Sequence, residues 1–149
     1  MHALILGGSG FIGSSVADVL CASGAEVTVL DGLMEKTGGR KQNVTQLLEK
    51  ICFIESPIEY YDELESILNT ADIIIDSMAW TAHHAALSDP FYDLKLNLKA
   101  HIFLLEKLKK YPGKRIIYLA SRGQYGNPPG NLIVENTPSI PVDIQGINK

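Results

Sequence analysis

The sequence is poor in cysteine: two in 149 residues, far apart at Cys21 and Cys52. No C-x-x-C pair occurs, which excludes a disulfide framework and a thiolate-pair metal site. The expectation is a reduced, cytoplasmic setting with both cysteines as small core residues. Positive charge is not in surplus either, since 13 Lys and Arg against 17 Asp and Glu leave a net charge of −4. That balance excludes a broad basic face for nucleic acid. Arg40 and Lys41 form only a local basic pair, read as a solvated loop. No apolar run approaches the ~18 residues of a membrane-spanning helix, and no membrane association is expected. The opening Met1-His2-Ala3-Leu4-Ile5-Leu6 has no basic n-region and runs into glycines. It reads as a buried strand and not as a signal peptide.

What the sequence does have is an alternation of apolar runs and helical patterns, without internal repeat, low-complexity tract or linker. Strands are predicted over 3–6, 27–30, 52–54, 73–75 and 116–119. The first helix spans 10–23, with Phe11, Ile12, Val16, Val19 and Leu20 as its buried stripe and Gly24 ending it. Residues 35–43 read as a polar loop, followed by short helices at 44–49 and 61–68. Asp62, Glu63 and Glu65 suit the positive end of the second. A long helix spans 90–110, with Asp89 as N-cap, Pro90 at its first position and Lys107, Lys109 and Lys110 at its negative end. Leu94, Leu98, Ile102, Leu105 and Leu108 are its apolar positions. Residues 121–141 read as loop, and a last helix begins at Val142. Apolar strands joined by helices imply a single α/β domain with a doubly wound parallel sheet.

The strongest local motif is Gly7-Gly8-Ser9-Gly10-Phe11-Ile12-Gly13, between a strand and a helix. Gly7 allows the tight turn, Gly10 lets backbone amides approach a pyrophosphate, and Gly13 lets the helix pack close to the sheet. The helix N-terminus offers unpaired N–H donors and a positive dipole end. Asp31 closes strand two about 20 residues later, where the dinucleotide fold expects an acidic ribose ligand. A carboxylate there accepts from ribose hydroxyls and repels a 2′-phosphate, which favours NAD. The bland reading of Asp31 is a turn residue before Gly32. Arg40 and Lys41, within reach of a 2′-phosphate, keep NADP open.

This glycine motif resembles that of extended short-chain dehydrogenases/reductases, the NAD-dependent nucleotide-sugar epimerases and dehydratases. The resemblance continues through Asp72-Ile73-Ile74-Ile75-Asp76-Ser77-Met78-Ala79, Ser88-Asp89-Pro90 with Asn97, Ala120-Ser121-Arg122-Gly123-Gln124-Tyr125-Gly126, and Glu135-Asn136-Thr137-Pro138 before Pro141. It implies a Rossmann-type fold truncated after the fifth strand and the start of the next helix. The cofactor site it implies comprises Gly7, Gly10, Phe11, Ile12, Gly13, Asp31, Ile58, Met78, Ala79, Asn97 and Lys149. In the family a tyrosine takes a hydroxyl proton as hydride passes to the nicotinamide, a lysine four residues on lowers that tyrosine's pKa, and a serine or threonine holds the reacting oxygen. By position, the serine is Ser121 and the lysine Lys149.

The tyrosine is replaced by Gln145, whose amide does not titrate near neutral pH and cannot be a general base. Tyr125 is the candidate substitute, its bland reading being a packing residue of its loop. The family usually carries an aspartate after strand three, but Pro57 stands near that position and leaves Ile58 and backbone groups for adenine. The family also continues into a C-terminal substrate domain, so residues 1–149 are expected to be an incomplete NAD(P)-binding domain with a frayed end at Lys149. Three readings follow: an epimerase or dehydratase acting on a nucleotide sugar in its full-length form, a catalytically degenerate NAD(P)-binding module with a sensor or scaffold role, or a partner-dependent domain that forms a homodimer through its long helices. His83 and His84 are adjacent and not spaced as a metal pair; a surface role or a substrate contact remains. Trp80 either lines the pocket or plugs the sheet edge. Ser121 sits in no G-x-S-x-G elbow, which discounts a hydrolase.

Overall fold

Five parallel strands form one sheet in the order β3-β2-β1-β4-β5 in a computed structural model that describes residues 1–128, 130 and 132–149. Pro129 and Asn131, in the loop expected over 121–141, lie outside the described residues. The strands are β1 (His2–Leu6), β2 (Glu26–Asp31), β3 (Cys52–Glu55), β4 (Ile73–Asp76) and β5 (Arg115–Tyr118). Their register sets Leu6 beside Leu30 and Asp76, and Asp76 beside Tyr118, so these strand ends share one rim. The chain order reverses across β1 and β4, which opens a crevice at that rim.

The helices are α1 (Phe11–Ala22), α2 (Leu64–Thr70), α3 (His83–Ser88), α4 (Pro90–Leu94), α5 (Ala100–Leu108) and α6 (Ile144–Asn148). A five-residue π turn, Lys95–Lys99, joins α4 to α5. The expected helix over 90–110 is thus one continuous rod with a widened turn in its middle. Asp89 caps it as predicted, accepting from the Tyr92 N–H, with Pro90 in the first turn. The 44–49 helix is instead a 3-10 segment, Lys41–Leu47, and α3 was not foreseen.

Leu4, Leu6, Leu30, Leu64, Leu68, Ile74 and Leu104 fill the core on one face of the sheet, and Ile5, Ala17, Val27, Val29 and Ile75 fill it on the other. Burying each of these larger side chains contributes roughly 1.5–3 kcal/mol before entropy is set against it.

Three burial expectations are corrected. On α1 the residues buried are Gly13 and Ala17, while Phe11, Ile12 and Val19 are exposed, Phe11 by 86%. They flank an apolar groove with Ile73, Ile75 and Ile117, beside a β5 whose four residues are all exposed. The stripe is apolar, but no described element covers that side. Along the long helix the inward face carries Asp93, Leu96, Asn97, Ala100, His101, Leu104 and Leu108; of the apolar positions named from the sequence, Leu108 is buried, Leu94 and Leu98 are half-buried, and Ile102 and Leu105 face outward. Cys52 is exposed because β3 is an edge strand, and Cys21 is half-buried. Among the described residues, no helix is long and apolar enough to cross a membrane.

Candidate functional site

The turn after β1 is a cradle that only glycine can build. Gly7 has φ +72°, and a Cβ there would lie 2.9 Å from the Met78 nitrogen. A Cβ on Gly13 would lie 2.6 Å from Gly7 O and 2.7 Å from the Gly8 Cα. Main chain therefore meets main chain at this corner. The Gly10 N–H donates to Gly7 O at 3.1 Å, and the first helical bond is Ser14 N–H to Gly10 O at 3.0 Å. The amides of Phe11, Ile12 and Gly13 precede that bond, and the N-cap Gly10 has no side chain to satisfy them. Three donors and the positive end of a 12-residue helix thus face the rim.

Asp31 is buried at the end of β2. Its Oδ2 accepts from the Ser9 N–H at 2.8 Å and its Oδ1 from the Leu33 N–H at 2.8 Å. Each oxygen keeps further lone-pair capacity for a hydroxyl donor. Lys41 leans towards Glu55 at 3.5 Å and over the Phe53 ring; the Arg40 N–H donates to Ser9 O at 3.1 Å, and neither residue lines the cleft that runs along the rim.

A single cleft of about 560 Å³ runs along the rim, a size suited to a small-molecule ligand. Its wall includes Gly7, Gly10, Phe11, Ile12, Gly13 and Asp31 at one end. Ile58 belongs to that same end, following a Ser56 whose N–H donates to Asp31 O at 3.0 Å. Met78, Ala79 and Trp80 line the middle, and Ser121, Gln145 and Lys149 the other end. Of its two readings Trp80 meets the first: it contributes to the wall, while its ring is buried against Ala86 and Leu96 and donates from Nε1 to Lys36 O at 3.0 Å, with no edge strand in that cluster. Asn97 and Tyr125 do not reach the wall.

Asn97 lies behind the cleft. Its amide grips the main chain of Trp80, accepting from the N–H at 2.8 Å and donating to the carbonyl at 2.9 Å, and donates to Asp93 at 2.6 Å. Gln145 donates to the same Trp80 carbonyl, and Asn148 to Asp93 at 2.9 Å. Asp143 caps α6, its Oδ1 accepting from the Gly146 N–H and its Oδ2 meeting His83 Nδ1 at 3.1 Å. The Asp143 carboxyl is held below its ordinary value, first by the Gly146 bond and then by His83. Ser121 Oγ accepts from the Gly123 N–H at 3.0 Å, leaving its proton free to be donated. Lys149 donates to Met78 O at 2.7 Å, and burial pushes its ammonium pKa down, opposed by Asp76.

Three features escaped sequence reasoning: the Asp93–Asn97–Trp80 lattice, the His83–Asp143 clasp and a buried Asp76–His101 pair. A signal for the first was present. Asp93, Asn97 and His101 are spaced by four on one helical rod, which puts three polar side chains on one face.

An open parallel sheet of this order, with a glycine cradle at a helix N-terminus and an acidic residue closing the next strand, defines a dinucleotide-type Rossmann domain. More narrowly, the chain belongs to the NAD dependent epimerase/dehydratase family, whose model matches residues 3–146. It is 32% identical over 148 residues to a putative UDP-glucose 4-epimerase of Methanocaldococcus jannaschii, covering 98% of this chain and 47% of that protein. A UDP-glucose 4-epimerase of Lacticaseibacillus casei is 30% identical, covering 100% and 44%. Among solved structures, the Thermotoga maritima UDP-glucose 4-epimerase with UDP-glucose superposes with a TM-score of 0.83 at 31% identity, covering 100% of this chain and 48% of that one. The chain spans about half the length of the curated relatives it matches. The glycine cradle fits a diphosphate and the buried Asp31 a ribose diol, so the residues present suit the family's cofactor.

Proposed function

We propose that this chain is the NAD-holding part of a nucleotide-sugar epimerase or dehydratase. One observation carries the reading: a single cleft joins three uncapped helix amides and the Asp31 carboxylate to Ser121, Gln145 and Lys149. The amides of Phe11, Ile12 and Gly13 would hold the diphosphate, with Gly7 and Gly10 giving it room. Asp31 would accept from the adenosine ribose, and Ile58 would pack on the adenine. NAD is favoured over NADP because a 2′-phosphate would meet the Asp31 carboxylate while Lys41 is turned to Glu55.

NAD, when bound, supplies the acceptor for a hydride from a sugar carbon. Ser121 would donate to the reacting sugar oxygen. Lys149 would hold the cofactor's ribose near Met78 and Ala79. Asn97, one layer back, and Gln145, in the wall itself, would fix the Trp80 backbone that shapes the middle of the cleft. Two further parts belong to this reading. The outward apolar residues Phe91, Ile102 and Leu105 offer a helix face for a homodimer, and the two unpaired cysteines suit a cytoplasmic setting.

The test is titration calorimetry of the chain with NAD and with NADP. Saturable heat with NAD, and weaker heat with NADP, is the expected result. Silence with both overturns the reading, and stronger binding of NADP overturns the assignment of Asp31.

A further inference from the structure

A buried ionisable pair beneath the cleft has no part in the roles assigned above. Asp76, the last residue of β4, is 2% exposed, and His101, in the first turn of α5, is 7% exposed. Asp76 Oδ2 and His101 Nδ1 are 2.6 Å apart. An ionised carboxylate only accepts, so Nδ1 carries the proton and donates. The other ring nitrogen, Nε2, faces Lys149 Nζ at 3.4 Å. An ammonium only donates, so Nε2 is the acceptor. The three groups thus form a directed chain from Lys149 through His101 to Asp76. Tyr118 of β5 closes the site: its ring stands edge-on to His101 with centroids 5.1 Å apart, and Lys149 Nζ lies 4.6 Å from its centre. The groups facing His101 are therefore Asp76 from β4, Lys149 at the end of α6 and Tyr118 from β5.

We propose that His101, backed by Asp76, is a positioning residue that takes up and returns a proton of Lys149, so that the Lys149 amine serves as the acid–base group in the cleft where Gln145 cannot. The step balances. One N–H bond breaks at Lys149 Nζ and one forms at His101 Nε2. The positive charge moves from the ammonium to an imidazolium beside the Asp76 carboxylate, and the net charge of the three groups stays at zero. The freed Nζ lone pair can then accept a proton from a substrate hydroxyl at the Ser121 end of the cleft, and the reverse transfers restore the starting state. Burial of Lys149 works in the same direction, since it disfavours the ammonium. The substrate half of this inference rests on the reading under Proposed function, whereas the relay rests on geometry alone.

The test is an NMR titration of the isotopically labelled chain, with NAD affinity measured separately. His101 is expected in the Nδ1–H tautomer at neutral pH. The Lys149 Cε resonance is expected to show an inflection at the pH where the His101 ring titrates. His101→Gln can still donate to Asp76 and accept from Lys149 but cannot hold the extra proton, so that inflection disappears. In Asp76→Asn the amide can donate to Nδ1, and the Nδ1–H tautomer is lost; the backbone amide spectrum checks that both variants fold. A Lys149 that titrates without response to His101, or an inflection that survives His101→Gln, overturns the relay. Absence of NAD binding alongside an intact inflection overturns the cofactor reading instead and supports the relay.

Discussion

The end of the cleft around residues 7–13 is made of main chain, whereas the end around Ser121 and Lys149 is made of side chains held by other side chains. At the first, helix amides and a glycine carbonyl define the geometry, and the side chains of Phe11 and Ile12 point to solvent. At the second, Gln145, Asn97, Asp93 and Asn148 interlock around one tryptophan carbonyl, and His101 and Asp76 lie beneath Lys149. A site built of backbone constrains one residue type, glycine, and tolerates change elsewhere. A site built of side chains changes its chemistry when two partners change together.

The largest loss is expected at Gly13. A Cβ there meets Gly7 O, the Gly8 Cα and the Ser77 hydroxyl at 2.6–2.8 Å, and the first two are backbone. Gly13→Ala recovers about 1 kcal/mol of helix propensity, yet overpacking against unyielding main chain costs about 3 kcal/mol. A net loss of about 2 kcal/mol in urea unfolding is expected, together with loss of NAD binding by calorimetry. If Gly13→Ala were as stable as the parent and bound NAD, the cradle would not be the rigid element described above.

A smaller loss, spread differently, is expected at the other end. Asn97→Ala leaves the buried Trp80 N–H without its acceptor and Asp93 without one donor. Stranding buried polar groups costs about 1–3 kcal/mol, partly relieved here because Gln145 still donates to Trp80 O. The expected change is about 1.5 kcal/mol, with the α1 amides keeping their chemical shifts. Spreading of the perturbation into residues 7–13 would show that the two ends are one cooperative unit.

The difference in material explains what the sequence made legible. The glycines at 7, 10 and 13 shape a local turn, so their spacing marks it in the sequence; Asp31 acts through its side chain, which accepts from the Ser9 N–H, but it stands where the next strand ends, a place the strand pattern gives. All five strands were found to within two residues at either end. The edge position of β3 and the uncovered flank of α1 are facts of assembly, so Cys52, Phe11 and Val19 were expected inside and lie outside. α3 begins at an Ala82 N-cap with no side-chain cap, and so carried no start signal. The end of the cleft around Lys149 depends on contacts between residues 25, 48 and 65 positions apart. Helical spacing of Asp93, Asn97 and His101 hinted at a polar face, but nothing local to His101 pointed to Asp76.

The smallest expected effect separates the ends by pH. Asp143 caps α6 and is clasped by His83, and its carboxyl is held below its ordinary 3.8, chiefly by the Gly146 N–H. A folded-state pKa below the unfolded one means that the folded protein binds fewer protons through that interval. The stability it brings is therefore fully present above the unfolded pKa and is lost as pH falls through the lower, folded value. Asp143→Ala should cost about 1 kcal/mol at neutral pH, as for other N-caps. That difference should shrink as the solution is acidified below 3.8 and the parent carboxyl is protonated. The Gly13→Ala difference should not follow the same curve, because no titratable group takes part in that steric contact. Urea midpoints of the three proteins between neutral pH and strong acid check this. If Asp143→Ala gave an equal deficit at every pH, the carboxylate charge would contribute nothing to holding α6, and with it Gln145 and Lys149, against the cleft.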